Sequence, residues 1–325
     1  MALSQQRDLD ALRAGLEQWL GRPVGEIARP APGYSCETLV VENDLVVRLP
    51  PVGDGIFPTY DLAQQAGAQT AIGAAGVPVA GPVRYEPDSS FLGAPFATMP
   101  FVTGRIPNDF TPADEWLRDL PDDAARHDVW ASFVDAIAGI HGATTDGLGL
   151  RTGLGAELSF WDHYIGWATD GAPPQALADA FSWCRARLPA TEPDGGMLWG
   201  DVRLGNVIYD DAARAPKAVL DFDMVSVGPA EMDVAWFIAL EQVQTDLTNM
   251  TVGGFGTRDD AIVRVEQRLG RHLIDLDWYE VFALVRASAI STRIALLFER
   301  NGQKSMFKVG RDPTLVAAAA RIEAS

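Results

Sequence analysis

Leucines 9, 12, 16 and 20 recur at spacings of 3 to 4 through a stretch of alternating charge, which predicts an amphipathic helix over 8–20. Further on, Leu39 to Val41 and Leu45 to Leu49 flank Asn43-Asp44, the pattern of a β-hairpin. Residues 61–75 are rich in Ala and Gln and contain no Pro; they predict a helix that stops at Gly76, before Val77-Pro78. Short strands are expected at 82–86 and 96–102. The first 100 residues therefore read as a small sheet with one or two helices.

The pattern changes after residue 100. Trp130, Phe133, Val134, Ile137 and Ile140 repeat at helical spacing and run out at His141-Gly142. Residues 231–249, 258–270 and 277–299 also carry helical periodicity. Between them lie two β segments, Val207–Tyr209 and Ala218–Phe222, joined by Asp210 to Lys217. The Gly-rich run 147–155 is the most linker-like stretch of this half, and no internal repeat is visible. The expected organisation is α+β in two lobes: a small β-rich lobe over 1–100 and a larger, mainly helical lobe over 101–325.

Composition narrows the function. The chain has 325 residues, enough for about two domains, with 47% hydrophobic and 22% charged positions, so it can bury a core. Twenty-six Lys and Arg against 44 Asp and Glu give a formal charge of −18. That field repels nucleic acid and anionic membrane surfaces, favours solubility and tolerates a cationic small molecule. Cys36 and Cys184 are the only cysteines, which excludes a disulfide framework and fits a reducing, cytoplasmic setting. Charged residues through the first 20 positions argue against a signal peptide, and Arg286 and Arg293 interrupt the apolar stretch 281–298, so no membrane span is expected.

The candidate chemistry lies in Trp199-Gly-Asp201-Val-Arg203-Leu-Gly-Asn206 and in Leu220-Asp221-Phe-Asp223. If the β segments between them pair antiparallel, Asn206 and Asp221 stand side by side, about 5 Å apart at Cα. Two short oxygen-bearing side chains at that distance suit Mg²⁺, which takes few protein ligands together with phosphate oxygens. Asp201, with four residues between it and Asn206, suits accepting the proton of an attacking hydroxyl. Arg203 reads either as a stabiliser of charge on a transferring phosphoryl group or as a solvated side chain. Asp223 reads either as a second metal contact or as a turn former, and Asp233 as an acid in the first turn of a helix.

In these motifs the sequence resembles the aminoglycoside phosphotransferase family of small-molecule kinases, which has a protein-kinase-like fold. The family's loop is His-Gly-Asp, four residues, then Asn; here it runs from Trp199-Gly200-Asp201 to Asn206. Its second motif corresponds to Asp221, Gly228-Pro229 and Asp233. The resemblance extends over nearly the whole chain. It implies a phosphate loop at Gly33 and Ser35, a phosphate-holding Arg48 where Lys is usual, and Gln65 where the small-lobe helix usually carries Glu. It also implies adenine contacts to the backbone near Met99 and Phe101. The activity implied is transfer of the γ-phosphoryl group of ATP or GTP, with Mg²⁺ on Asn206 and Asp221, to a hydroxyl of a small molecule, Asp201 acting as base and Asp233 supporting the loop. Acidic Asp246, Asp259 and Asp260 would suit an aminated acceptor or a solvated surface equally. Two alternatives stand beside this reading: a non-catalytic, nucleotide-binding pseudokinase, motivated by Arg48 and Gln65, and an Asp-rich metallophosphatase.

Overall fold

The computed structural model describes residues 5–30, 35–212 and 214–325. Gly33, expected in a phosphate loop, lies outside the described residues. In the small lobe, helix α1 (Leu9–Leu20) precedes strands β1 (Ile27–Ala28), β2 (Glu37–Val41) and β3 (Leu45–Leu49), then helix α2 (Leu62–Ala74) and strands β4 (Arg84–Glu86) and β5 (Phe96–Pro100). The strands form one antiparallel sheet in the order β1-β2-β3-β5-β4. Strand alternation sorts its two faces. Leu39, Val41, Val47, Leu49 and Phe96 turn toward Leu12 and Leu16 of α1 and build the outer core. Val46 and Met99, which oppose each other in the β3–β5 ladder, belong to a separate cluster on the other face. Arg48, two residues from Val46, lies on that same face.

Helix α2 begins at Asp61, whose side chain accepts from Gln64 N, and ends before Gly76, whose φ of 91° only glycine adopts freely. The connection from β3 to α2 leaves the small lobe. Ile56 and Phe57 join the core of the large lobe, Tyr164 Oη donates to the Ile56 carbonyl (2.8 Å), and buried Arg293 Nε donates to the Gly55 carbonyl (3.0 Å). Ala68 and Ile72 of α2 belong to that core too.

The large lobe comprises helices α3 (Glu115–Asp119), α4 (Asp123–His141), α5 (Leu154–Ala168) and α6 (Gln175–Ala186) and strands β6 (Gly196–Leu198), β7 (Val207–Tyr209), β8 (Pro216–Val219) and β9 (Ser226–Gly228). Helices α7 (Glu231–Thr248), α8 (Arg258–Leu269), α9 (Leu276–Arg300) and α10 (Pro313–Ala324) complete it. Helix α9 is long and apolar enough to cross a membrane by composition, yet 83% of its most apolar window is buried among its neighbours, as a central core helix requires. Strong periodicity located α4, α7, α8 and α9, whereas α5, α6 and α10 were not anticipated. The Gly-rich stretch 147–155 is not a free linker: Val227 N donates to the Arg151 carbonyl and Gly153 N to the Val227 carbonyl, both at 2.8 Å, which stitches it to β9. The fold is the expected two-lobed, protein-kinase-like α+β architecture.

Candidate active site

Two short antiparallel ladders hold together the loops that carry the predicted chemistry. In the first, β6 pairs with β9, Leu198 opposite Ser226, so Trp199-Gly200-Asp201 leaves β6 alongside Met224-Val225 entering β9. In the second, β7 pairs with β8, Val207 opposite Val219, and Leu220 N donates to the Asn206 carbonyl (2.8 Å). That register sets Leu220, not Asp221, opposite Asn206. The expected cross-strand pairing of Asn206 with Asp221 is therefore displaced by one residue, because β8 ends at Val219 rather than at Phe222. Asp221 then turns the chain with φ 61°, a left-handed conformation that Asp tolerates better than most residues.

Three contacts fix the catalytic-loop candidate. Gly200 has φ 90°, and a Cβ there would lie 2.6 Å from the Met224 carbonyl oxygen, so both conformation and space demand glycine. The buried Asp233 carboxylate accepts from Trp199 N (2.7 Å) and Gly200 N (3.0 Å), the loop-supporting role expected of it. Burial pushes its carboxyl up to about 6 against the pull of those two N–H groups. The fully buried Trp199 indole donates to the carbonyls of Leu220 (2.8 Å) and Asp221 (3.1 Å). This tryptophan thus braces one loop against the other.

Within that frame Asp201 Oδ2 accepts from Arg203 Nε (2.9 Å) and Asn206 Nδ2 (2.8 Å), and Asn206 Nδ2 also reaches the Asp201 carbonyl (2.9 Å). Among the described residues no donor takes Asp201 Oδ1. The amide nitrogen of Asn206 is committed to Asp201, so its oxygen is the atom left for a cation. Arg203 bridges Asp201 and Asp109, and both carboxylates, Asp201 first, hold its guanidinium charged. Asp221 Oδ1 accepts only a long bond from Asp223 N (3.4 Å). Burial, then the neighbouring Asp223 charge, pushes its carboxyl up to about 6. A carboxylate so placed, with no cation of the protein within ion-pair distance among the described residues, fits a divalent ion.

Asp223 itself is engaged elsewhere. Its Oδ2 pairs with Arg48 Nη2 (3.2 Å), and its Oδ1 accepts from Gln65 Nε2 (2.5 Å). Gln65, standing where the small-lobe helix usually carries Glu, donates to Asp223, and its Oε1 has no partner among the described residues. Arg48 and Gln65 meet only through this aspartate, and Cys36 Sγ lies 3.9 Å from the same carboxylate. Ser35 stands half-buried where the chain enters β2, two residues before Glu37.

The adenine contacts expected at Met99 and Phe101 need correction. Phe101 N donates to the Asp44 carbonyl (2.8 Å), and Met99 opposes Val46 in the same phase of the ladder, so the backbone groups of both residues turn toward β3. By alternation, the Pro100 carbonyl turns to the other side. Beside it Val46 and Met99 of the small lobe and Val102, just past its end, pack with Ile208, Ala218 and Leu220 of the large lobe. This apolar cluster between the lobes escaped sequence reading, since each of its members reads as ordinary core. The three acids considered for an aminated acceptor have local partners instead: Asp246 accepts from Gln242 (2.7 Å), Asp260 forms the capping box of α8 with Thr257, and Asp259 lies 3.6 Å from Arg258.

Comparison with known proteins places this arrangement. Residues 26–266 match the model described as the phosphotransferase enzyme family. Among curated relatives, acyl-CoA dehydrogenase family member 11 of Pongo abelii is 25% identical over 252 residues, 74% of this chain but 31% of that protein. The chain therefore spans about a third of that relative's length. Among solved structures, a Ralstonia eutropha protein provisionally described as an aminoglycoside phosphotransferase superposes with a TM-score of 0.69 at 20% identity, covering 98% of this chain and 99% of the other. Aminoglycoside 2'-phosphotransferase-IIIa, solved with GDP, superposes with a TM-score of 0.56 at 14% identity, covering 98% of each chain.

Proposed function

Because this chain belongs to the phosphotransferase enzyme family, we propose that it transfers the γ-phosphoryl group of ATP or GTP to a hydroxyl of a small molecule. The observation that carries this reading is the Asp201 carboxylate, one oxygen fixed by Arg203 and Asn206 and the other without a donor among the described residues. Asp201 Oδ1 accepts the proton of the acceptor hydroxyl as its oxygen attacks phosphorus. Asn206 through its oxygen and Asp221 through its carboxylate hold Mg²⁺, which when bound neutralises charge on the nucleotide phosphates. Arg48 contacts phosphate oxygens from the small lobe, joined by Ser35 where the chain enters β2. Arg203, held by two carboxylates, keeps Asp201 oriented and adds positive charge near the transferring group. The base of the nucleotide sits in the apolar cluster of Val46, Met99, Val102, Ile208 and Leu220 and bonds the Pro100 carbonyl. A GDP-bound neighbour of the same fold supports nucleotide use and leaves ATP and GTP to be separated by measurement.

The non-catalytic alternative is motivated by Arg48 and Gln65 standing where Lys and Glu are usual; against it, Arg48 does have an acidic partner, Asp223. The metallophosphatase alternative needs a denser ligand set, and no group of three or more His, Cys, Asp or Glu side chains placed to hold a metal occurs among the described residues. The test is a nucleotide-consumption screen over a library of hydroxylated small molecules, cationic ones included, with Asp201→Asn as the blank. We expect at least one acceptor for which that variant, folded and binding nucleotide as before, loses about 10²- to 10⁴-fold in turnover. Equal turnover by the variant removes Asp201 as the base.

A further inference from the structure

A buried guanidinium needs an anion, since an unpaired charge inside a protein is costly. Arg48 is 14% exposed at its side chain, and α2 carries no acidic residue to pair with it. The anion comes from the other lobe. Asp223, 4% exposed at its side chain, takes Arg48 on one oxygen and Gln65 on the other, while its own N–H reaches back to Asp221. One carboxylate therefore ties together the strand that carries Arg48, helix α2 and the loop that carries Asp221. Gln65 is 93% buried and presents its nitrogen, not its oxygen, to Asp223; its oxygen stays without a partner. The unpartnered oxygen shows which contact the site favours: Gln65 serves Asp223, and Asp223 serves Arg48.

We propose that Asp223 is the positioning residue for Arg48, so that the loop after β8 both carries the candidate metal ligand Asp221 and aims the phosphate-binding guanidinium. This rests on the reading of Arg48 as a nucleotide-phosphate contact. It makes α2 an accessory rather than the source of the aligning charge. The consequence is specific: the carboxylate should be transferable. In the double variant Asp223→Asn with Gln65→Glu, the charge moves across the 2.5 Å contact to α2, and the new amide at position 223 donates where it once accepted.

The experiment measures ATP affinity by calorimetry, with and without Mg²⁺, for the native chain, Asp223→Asn, Gln65→Glu and the double variant, each checked for cooperative thermal unfolding. Asp223→Asn should weaken Mg²⁺-free ATP binding by about 10- to 100-fold, the range for losing one hydrogen bond to a charged group. It should leave the Mg²⁺ concentration for half-maximal effect in place. The double variant should recover to within about threefold of the native chain. If Asp223→Asn proves unstable, Gln65→Leu serves instead: it keeps the ion pair but frees Asp223, and should weaken Mg²⁺-free binding about threefold. Unchanged Mg²⁺-free affinity in the folded variants, or a double variant no tighter than Asp223→Asn alone, overturns the positioning role. A shift confined to Mg²⁺ dependence also overturns it and makes Asp223 a metal ligand. Failure of the native chain to bind either ATP or GTP overturns the phosphate-contact reading and this role with it.

Discussion

Asp233 shows how one buried side chain trades stability for geometry. Its folded carboxyl binds a proton more tightly than an unfolded one, with a value near 6 against the ordinary 3.8. Folding stability from this group therefore falls as pH rises from about 4 to about 6, and the cost is complete above that window. Two pKa units correspond to at most about 3 kcal/mol. In Asp233→Asn that linkage is gone, and one of the N–H groups of Trp199 and Gly200 loses its acceptor, a cost of about 1–3 kcal/mol. Urea unfolding at pH 7 and pH 4.5 should show the native chain gaining stability relative to Asp233→Asn on acidification; a difference independent of pH means that Asp233 titrates normally. Gly200 carries a steric constraint. Gly200→Ala puts a methyl group against Met224 at φ 90° and should cost at least about 2 kcal/mol while abolishing phosphoryl transfer. A stable, active variant would show that the loop has another conformation available.

Helix ends explain several charges that composition alone makes look functional. Asp8, Asp61, Asp114, Asp122 and Asp312 all accept from the first turn of the helix that follows them, and Thr257 with Asp260 closes the capping box of α8. Part of the net acidity is therefore structural. Thr257→Ala should lower stability by about 1 kcal/mol, read from the denaturation midpoint. Asp260→Asn should lower it similarly and leave the KM of any cationic acceptor unchanged; a raised KM with native stability would return Asp260 to the acceptor site. The α2 helix is pinned in the same economical way. Gln69 Nε2 donates to the Ala80 carbonyl (2.7 Å), which holds the chain after the helix beside β5.

At the scale of the whole molecule the two lobes share one core. Ile56, Phe57, Ala68, Ile72 and Val77 pack with the large-lobe helices, and Arg293 reaches across to Gly55. The sequence boundary near residue 100 separates the sheet from the helices but not the packing. A fragment comprising residues 1–100 leaves those apolar side chains in water, and about 0.8 kcal/mol per exposed methylene outweighs what so small a core supplies. It should show no cooperative thermal transition, whereas the full chain should unfold cooperatively. A fragment that melts sharply would make the lobe autonomous.

The features legible in the chain were those set by local rules. Period-2 and period-3.6 patterns placed the β2–β3 hairpin and helices α1, α4, α7, α8 and α9, since backbone geometry alone dictates which residues share a face, and an Ala- and Gln-rich run without Pro placed α2. Asp201 and Asn206 could be paired because a loop of that length returns both side chains to one place, and Gly76, read as the helix stop, has the positive φ that glycine adopts freely. The illegible part depended on distant partners. Nothing near Arg48 in sequence announces Asp223, 175 positions away, or the Trp199 indole on the Leu220 and Asp221 carbonyls. Neither does it announce the apolar cluster joining Val46 to Ile208. These contacts arise because a packed interior must fill its volume and pair every buried charge at once. The partner that meets both demands is set by how the lobes close, not by its neighbours along the chain.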